Sequence, residues 1–213
     1  MSKPLILVTN DDGIDSPGLA ALASALDPLG ELLIVAPAEQ QSNLGRSRSQ
    51  TGGYDGCIAR AQVVHDRRSW AAFSVNSTPA LAVEYGIHEL ADRQPDLVVS
   101  GISYGENLGP VVTASGTVGA ALEAAEQGIR ALAISLEISS DDYFRLDRQI
   151  DFGTAAFFGK LFARRTLRQA WPPDVDVLKI EVPRLATRET SWVVTRQDRA
   201  PYYRAVTDLR ADP

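Results

Sequence analysis

A short apolar run that ends on two adjacent carboxylates constrains this chain more than any other feature. Leu5-Ile6-Leu7-Val8-Thr9 leads directly into Asn10-Asp11-Asp12-Gly13. The unbroken run reads as a strand buried on both faces, as in a parallel sheet. A helix follows: Ser16 and Pro17 suit its start, and Leu19, Leu22, Ala23 and Leu26 recur on one face. Gly30 ends the unit, and Leu32-Leu33-Ile34-Val35-Ala36 returns as a second buried strand. Strand, helix, strand in that order predicts right-handed βαβ units and an α/β fold.

Residues 38 to 69 break the rhythm. A polar loop through Ser42, Asn43, Gly45 and Ser47 is followed by turn signals at Gly52-Gly53 and Asp55-Gly56. Ile58 to Val64 reads as one strand of a projecting hairpin, with its turn over 65 to 68. The rhythm then resumes with a strand from Trp70 to Val75 and a helix opened by Thr78-Pro79 that reaches about Leu90. Leu97-Val98-Val99 reads as a short strand ended by Ser100-Gly101. Ser115 or Thr117 starts the next helix, with Val118, Ala121, Leu122 and Ala125 as its apolar face. A strand at 131 to 134, a long amphipathic helix over 147 to 168 and a strand over 178 to 182 complete the pattern. After Pro183 the chain is polar and irregular.

Composition narrows the class. The 213 residues are 45% hydrophobic and 23% charged, a globular balance that suits one domain, with or without an arm. A net charge of -6 argues against a nucleic-acid polymer as partner. Cys57 is alone, so an intrachain disulfide and a zinc–thiolate cluster are ruled out. The sequence has no apolar stretch of membrane-spanning length, and its start leaves no room for a signal peptide. The expectation is a cytoplasmic protein. With His65 and His88 in unrelated settings, a Ser-His-Asp triad is improbable.

In a parallel sheet the residues after each strand share one edge, where open α/β sheets bind ligands. That edge would gather Asn10, Asp11 and Asp12, then Ser42 and Asn43, then Asn76, Ser77 and Thr78, then Ser103 and Asn107, and Ser135. Asp11 and Asp12 are hard oxygen donors of the kind magnesium and manganese prefer. The competing reading makes one of them a helix cap. Gly101 to Gly109 is a glycine-spaced loop that admits either close backbone approach to an anion or a plain connection. The helix start at Ser115-Gly116-Thr117 favours a phosphate, although ordinary capping is commoner.

Taken together, these stretches resemble the SurE family of stationary-phase survival proteins, which are metal-dependent nucleotidases. The resemblance rests on Thr9-Asn10-Asp11-Asp12-Gly13, Ser42-Asn43-Leu44-Gly45, Ser77-Thr78-Pro79-Ala80, and Pro95 through Ile102. It continues in Gly105-Glu106-Asn107-Leu108-Gly109 and in Ser115-Gly116-Thr117-Val118-Gly119. It implies a Rossmann-like three-layer α/β sandwich with a mostly parallel sheet, a projecting hairpin at about 50 to 70 and a C-terminal arm. A phosphatase domain over 1 to 183 and an arm over 184 to 213, in contacts of a homodimer or homotetramer, are the boundaries expected.

The implied reaction is hydrolysis of nucleoside monophosphates with one magnesium or manganese ion per subunit. Asp11 and Asp12 are then the catalytic pair, and Asp11, Asp12, Ser42 and Ser103 hold the metal. Asn10, Gly45, Asn107, Ser115, Gly116 and Thr117 would serve the phosphate or substrate. The chain departs from the family at Ser103, where an asparagine is usual, at Leu81, which replaces an acid, and at Lys179 and Glu181. Those departures motivate the alternative of a non-catalytic nucleotide- or phosphate-binding module on the same fold. A receiver-type domain also pairs acids after a first strand, but the glycine loops and the insertion argue against it.

Overall fold

The computed structural model describes residues 3–49, 53–139 and 150–202. Among these residues seven strands form one sheet: β1 (Leu5–Thr9), β2 (Glu31–Pro37), β3 (Ile58–His65), β4 (Arg68–Val75), β5 (Leu97–Tyr104), β6 (Ala131–Leu136) and β7 (Val177–Val182). Their order is β3-β4-β2-β1-β5-β6-β7. All neighbours are parallel except β3 and β4. The chain runs outward from β1 on one side and then crosses to β5 on the other. That change of direction opens a crevice above the carboxyl ends of β1 and β5.

Among the described residues four α-helices cover the sheet: α1 (Pro17–Leu26), α2 (Pro79–Tyr85), α3 (Gly116–Glu126) and α4 (Gly153–Arg168). Alternation along β1 sorts them into layers, because successive side chains face opposite ways. Ile6 and Val8 pack in one core with Leu19, Leu22 and Phe158 of α1 and α4. Leu7 packs in the other with Val83 and Ala121 of α2 and α3. The result is a three-layer sandwich. Burying each such Leu or Ile side chain contributes about 1.5–3 kcal/mol.

Hydroxyl caps set the starts of α1, α2 and α3. Ser16 accepts from the Leu19 amide with Pro17 behind it, Thr78 does the same for Leu81 with Pro79, and Ser115 for Val118. Ser115, not Thr117, is therefore the cap of α3. Because Ser16 caps α1, neither Asp11 nor Asp12 is used as its cap.

Several expectations are corrected. β5 does not stop at Ser100-Gly101 but runs on to Tyr104, carried by its pairing with β6 across a register shift between Ser100 and Ser103. The apolar face of α3 keeps Val118 and Ala121 of the face read from spacing but not Leu122, which is 43% exposed; Glu123 is buried instead, beside Ala120, Ala121 and Ala124. The hairpin turn is shorter than expected, with β3 ending at His65 and β4 starting at Arg68. β4 pairs with β2 only over 72 to 75, so its first half pairs with β3 alone and projects. Trp70 anchors that half by donating to Asp27 Oδ1 at 2.9 Å. The last helix starts at Gly153, and 147 to 149 of the expected span lie outside the described residues, as do Gly52 and Tyr203.

Beyond Pro183, residues 184 to 202 form no helix or strand. Trp192 packs edge-on to Phe162 of α4 at 5.4 Å, with the Arg165 guanidinium 5.1 Å from its ring. Gln197 donates to the Gly109 carbonyl at 2.9 Å. The Arg164, Arg165 and Arg168 side of α4 is exposed, as expected of a solvated face.

Candidate active site

β1 delivers two carboxylates into the crevice, and each is gripped by a different part of the chain. Asp11 is 5% exposed, and its Oδ1 accepts from the Thr117 hydroxyl at 2.5 Å. It also lies against Gly116, where an added Cβ would sit 2.7 Å from Asp11 Cβ and 2.9 Å from Oδ2. Glycine at 116 makes room for the acid. Asp12 Oδ2 accepts the Tyr104 amide at 3.0 Å, and Oδ1 accepts from Gln40 Nε2 at 3.2 Å.

Burial pushes the Asp11 carboxyl up, against the opposing pull of the Thr117 hydroxyl and the amides of Asp11, Thr117 and Gly116. Burial raises Asp12 to about 7, and the charge of Asp11 adds to the rise. Two desolvated like charges side by side need a compensating cation. Among the described residues no Lys, Arg or His forms a salt bridge with either acid.

The loop after β2 closes over the pair. The Gln41 amide donates to the Asp11 carbonyl at 2.6 Å, and Asn43 turns with a φ of 63°. A cavity of about 530 Å³ lies beneath, lined by Asp11, Asp12, Ser42, Ser103, Asn107 and Ser115. Six residues chosen from strand ends, loops and a helix start therefore share one space. Asn107 is held by its amide, which donates to Glu181 Oε1 at 3.2 Å, and by its Nδ2, which donates to Ser135 Oγ at 2.9 Å. Burial pushes the Glu181 carboxyl up, and Lys179 beside it opposes the shift.

Four of the other expected residues stand behind the wall. Gly116 and Thr117 serve Asp11 as described. Gly45 docks its loop, its amide donating to the Ala114 carbonyl at 2.8 Å. Asn10 is fully buried and donates to the Gly13 carbonyl at 2.9 Å, leaving its Oδ1 without a partner. Asn76, Ser77 and Thr78 do not reach the cavity: Asn76 bonds Gly53 and Asp55, and Thr78 caps α2.

Sequence reasoning missed Tyr104, Val111 and Ile138, which give the cavity its apolar wall. Ile138 follows β6 on the same edge, so the strand-end rule that found Ser135 would have reached it two or three residues on. Gln40 was also missed.

The donor set suits a hard divalent cation. All its atoms are oxygens: the carboxylates of buried Asp11 and half-buried Asp12, neither with a cationic partner among the described residues, and the hydroxyls of Ser42 and Ser103. No group of three His, Cys, Asp or Glu forms among the described residues, so the set is carboxylate-poor and leaves positions for water.

A sheet that reverses its direction of growth at β1 and β5, with acids on the edge of that crevice, defines a doubly wound α/β ligand-binding protein. Residues 6–204 match the family described as Survival protein SurE. The chain is 43% identical over 213 residues to a protein of Methanocella arvoryzae described as 5'-nucleotidase SurE, covering 98% of this chain and 77% of that one. A Thermococcus kodakarensis protein of the same description is 39% identical over 208 residues, covering 98% and 77%. The crystal structure of the SurE protein from Aquifex aeolicus superimposes with a TM-score of 0.74 at 33% identity, covering 92% of this chain and 73% of that one. The chain belongs to the SurE family.

Proposed function

We propose that this chain is a metal-dependent nucleotidase that hydrolyses nucleoside monophosphates to nucleoside and phosphate. One observation carries the reading: buried Asp11 and half-buried Asp12, without a cationic partner among the described residues, share a cavity of about 530 Å³ with hydroxyl and amide groups. The names of the relatives support the same chemistry. Asp11, Asp12, Ser42 and Ser103 would hold one magnesium or manganese ion per subunit. When bound, that cation supplies charge neutralisation for the phosphoryl group.

The chain's own groups do the rest. Thr117 and the Tyr104 amide fix the two carboxylates, so that one of them orients the attacking water and takes its proton. The water oxygen bonds to phosphorus as the phosphorus–ester oxygen bond breaks, and the leaving ester oxygen takes the proton that the carboxylate accepted. Asn107 and Ser115 line the side where the phosphoryl oxygens gather charge, and Asn10 and Gly45 support the acid pair and the loop. Tyr104, Val111 and Ile138 give the nucleoside an apolar surface.

Two further parts of the reading concern the whole protein. Residues 1 to 183 form the phosphatase domain and 184 to 213 an arm that meets another copy in a homodimer or homotetramer. Leu185, Val193 and Val194, 81%, 77% and 87% exposed, support such a contact. The protein works in the cytoplasm, in keeping with its single cysteine. Among the described residues no helix is long and apolar enough to cross a membrane.

The test is Asp11→Asn with phosphate release from nucleoside monophosphates measured in manganese. Most of the release is expected to vanish. Wild-type rates in that variant refute the assignment.

A further inference from the structure

The loop that carries Ser42 and Asn43 is tied to α3 by an ion cluster that the chemistry above leaves unused. Glu123 is 0% exposed on α3. Its Oε2 accepts from Arg46 Nε at 2.8 Å and its Oε1 from Arg48 Nη2 at 2.6 Å. Arg48 also reaches Glu84 of α2, and Arg46 reaches Glu126. Replacing a buried ion pair by packed apolar side chains is often neutral or stabilising, so such a cluster is weak as a stability device. What it adds is a fixed place, because the planar guanidinium bonds its acid in few geometries.

The backbone contacts define where that place is. The Thr78 hydroxyl donates to the Ser47 carbonyl at 2.5 Å. A Cβ on Gly119 would lie 2.1 Å from the Gly45 oxygen and 2.7 Å from the Arg46 nitrogen, so the loop rests directly on α3. The first turn of the same helix grips Asp11 through Thr117. α3 therefore acts as one bar that sets both the acid pair and the loop closing over it.

We propose that Glu123, with Arg46 and Arg48, is a positioning clamp that fixes Ser42 and Asn43 against Asp11 and Asp12. The clamp's effect on catalysis rests on the nucleotidase reading; its effect on loop order does not.

The decisive variant replaces all three residues, Arg46→Met, Arg48→Met and Glu123→Met, which removes the ions without stranding a buried charge. Arg46→Lys and Arg48→Lys keep the charge and lose the planar fork. Amide hydrogen exchange of residues 41 to 47, manganese affinity by electron paramagnetic resonance, thermal unfolding, and kcat and KM for a nucleoside monophosphate are read in each. The triple variant is expected to melt as high as the wild type. Its loop amides should exchange about tenfold faster or more. Its kcat and manganese affinity should each fall about tenfold to a hundredfold, as misplacement by about 1 Å does. KM should change less than about twofold, and the Lys variants, which keep the charge but lose the planar fork, should fall between the wild type and the triple variant. Made in a Ser42→Ala background, the triple change should cost less than about twofold more, because its target is already gone.

Wild-type loop exchange and manganese affinity in the triple variant overturn the clamp, as does a full multiplicative loss on top of Ser42→Ala. Should the wild-type protein release no phosphate from any nucleoside monophosphate, the nucleotidase reading fails instead. Exchange and manganese affinity still decide the clamp in that event.

Discussion

Asp12→Asn should make the metal-free protein more stable at neutral pH while removing its activity. Asp12 is carried from an ordinary 3.8 up to about 7, first by burial and then by the charge of Asp11. Each pH unit corresponds to about 1.4 kcal/mol, so ionising Asp12 in the folded, metal-free state costs about 4 kcal/mol. Asparagine keeps an oxygen for the Tyr104 amide and loses part of the Gln40 contact, which leaves a net gain of about 2–4 kcal/mol. In a chain of this length that is a rise of roughly 5–15 °C in Tm.

The sign follows from linkage. A carboxyl raised in the fold carries no penalty below its unfolded pKa, and stability is lost as pH climbs toward the folded value. Metal-free wild type should therefore lose stability between about pH 4 and 7, and the variant should lose less. Glu181, also raised by burial, slopes the same way in both proteins and cancels in the comparison. Asp27 and Asp55 are lowered, so they act only as pH falls below the ordinary carboxylate range. Thermal unfolding by circular dichroism in EDTA at pH 4, 6 and 8 reads the effect. A variant that melts no higher than wild type at pH 8, or a wild type that gains stability from pH 4 to 8, refutes the reasoning. Manganese should reverse the ranking by stabilising the wild type alone.

Three more expectations are direct. Gly116→Ala places a Cβ 2.7 Å from Asp11 Cβ, so it should cost about 1–3 kcal/mol by urea unfolding and weaken manganese binding together. Leu22→Ala, at a fully buried site between α1 and the sheet, should cost about 2–5 kcal/mol with an unchanged urea m-value. A double-mutant cycle between Trp192 and Arg165 should give a coupling of about 0.5–1 kcal/mol, and zero coupling would mean the stacking in the arm is incidental.

Local pattern carried much of this fold. An apolar run followed by a capped helix is decided within some twenty residues, which is why β1, α1 and β2 were legible, as was the edge on which Asp11, Asp12 and Ser42 meet. Distant partners decided the rest. Ser100-Gly101 looks like the end of a strand because nothing nearby continues it; pairing with Ser135 and Leu136 does. Leu122 and Glu123 exchange their expected places because Arg46 and Arg48, 77 and 75 residues away, meet the acid where a leucine would pack. Tyr104 was hidden for the same reason as its strand. Asn10 and Thr117 were legible as polar groups near the site, but their roles behind Asp11 depend on which face of β1 each neighbour occupies.

The bond between Asp11 and Thr117 joins residues 106 positions apart. Synthesis delivers β1 first and α3 only after half the chain has been made. A nascent chain thus carries both acids long before it has the hydroxyl, the glycine and the loop seat that give them shape. Competence is a late event in the life of each molecule, and a fragment that stops short of α3 keeps the carboxylates without ever acquiring the enzyme.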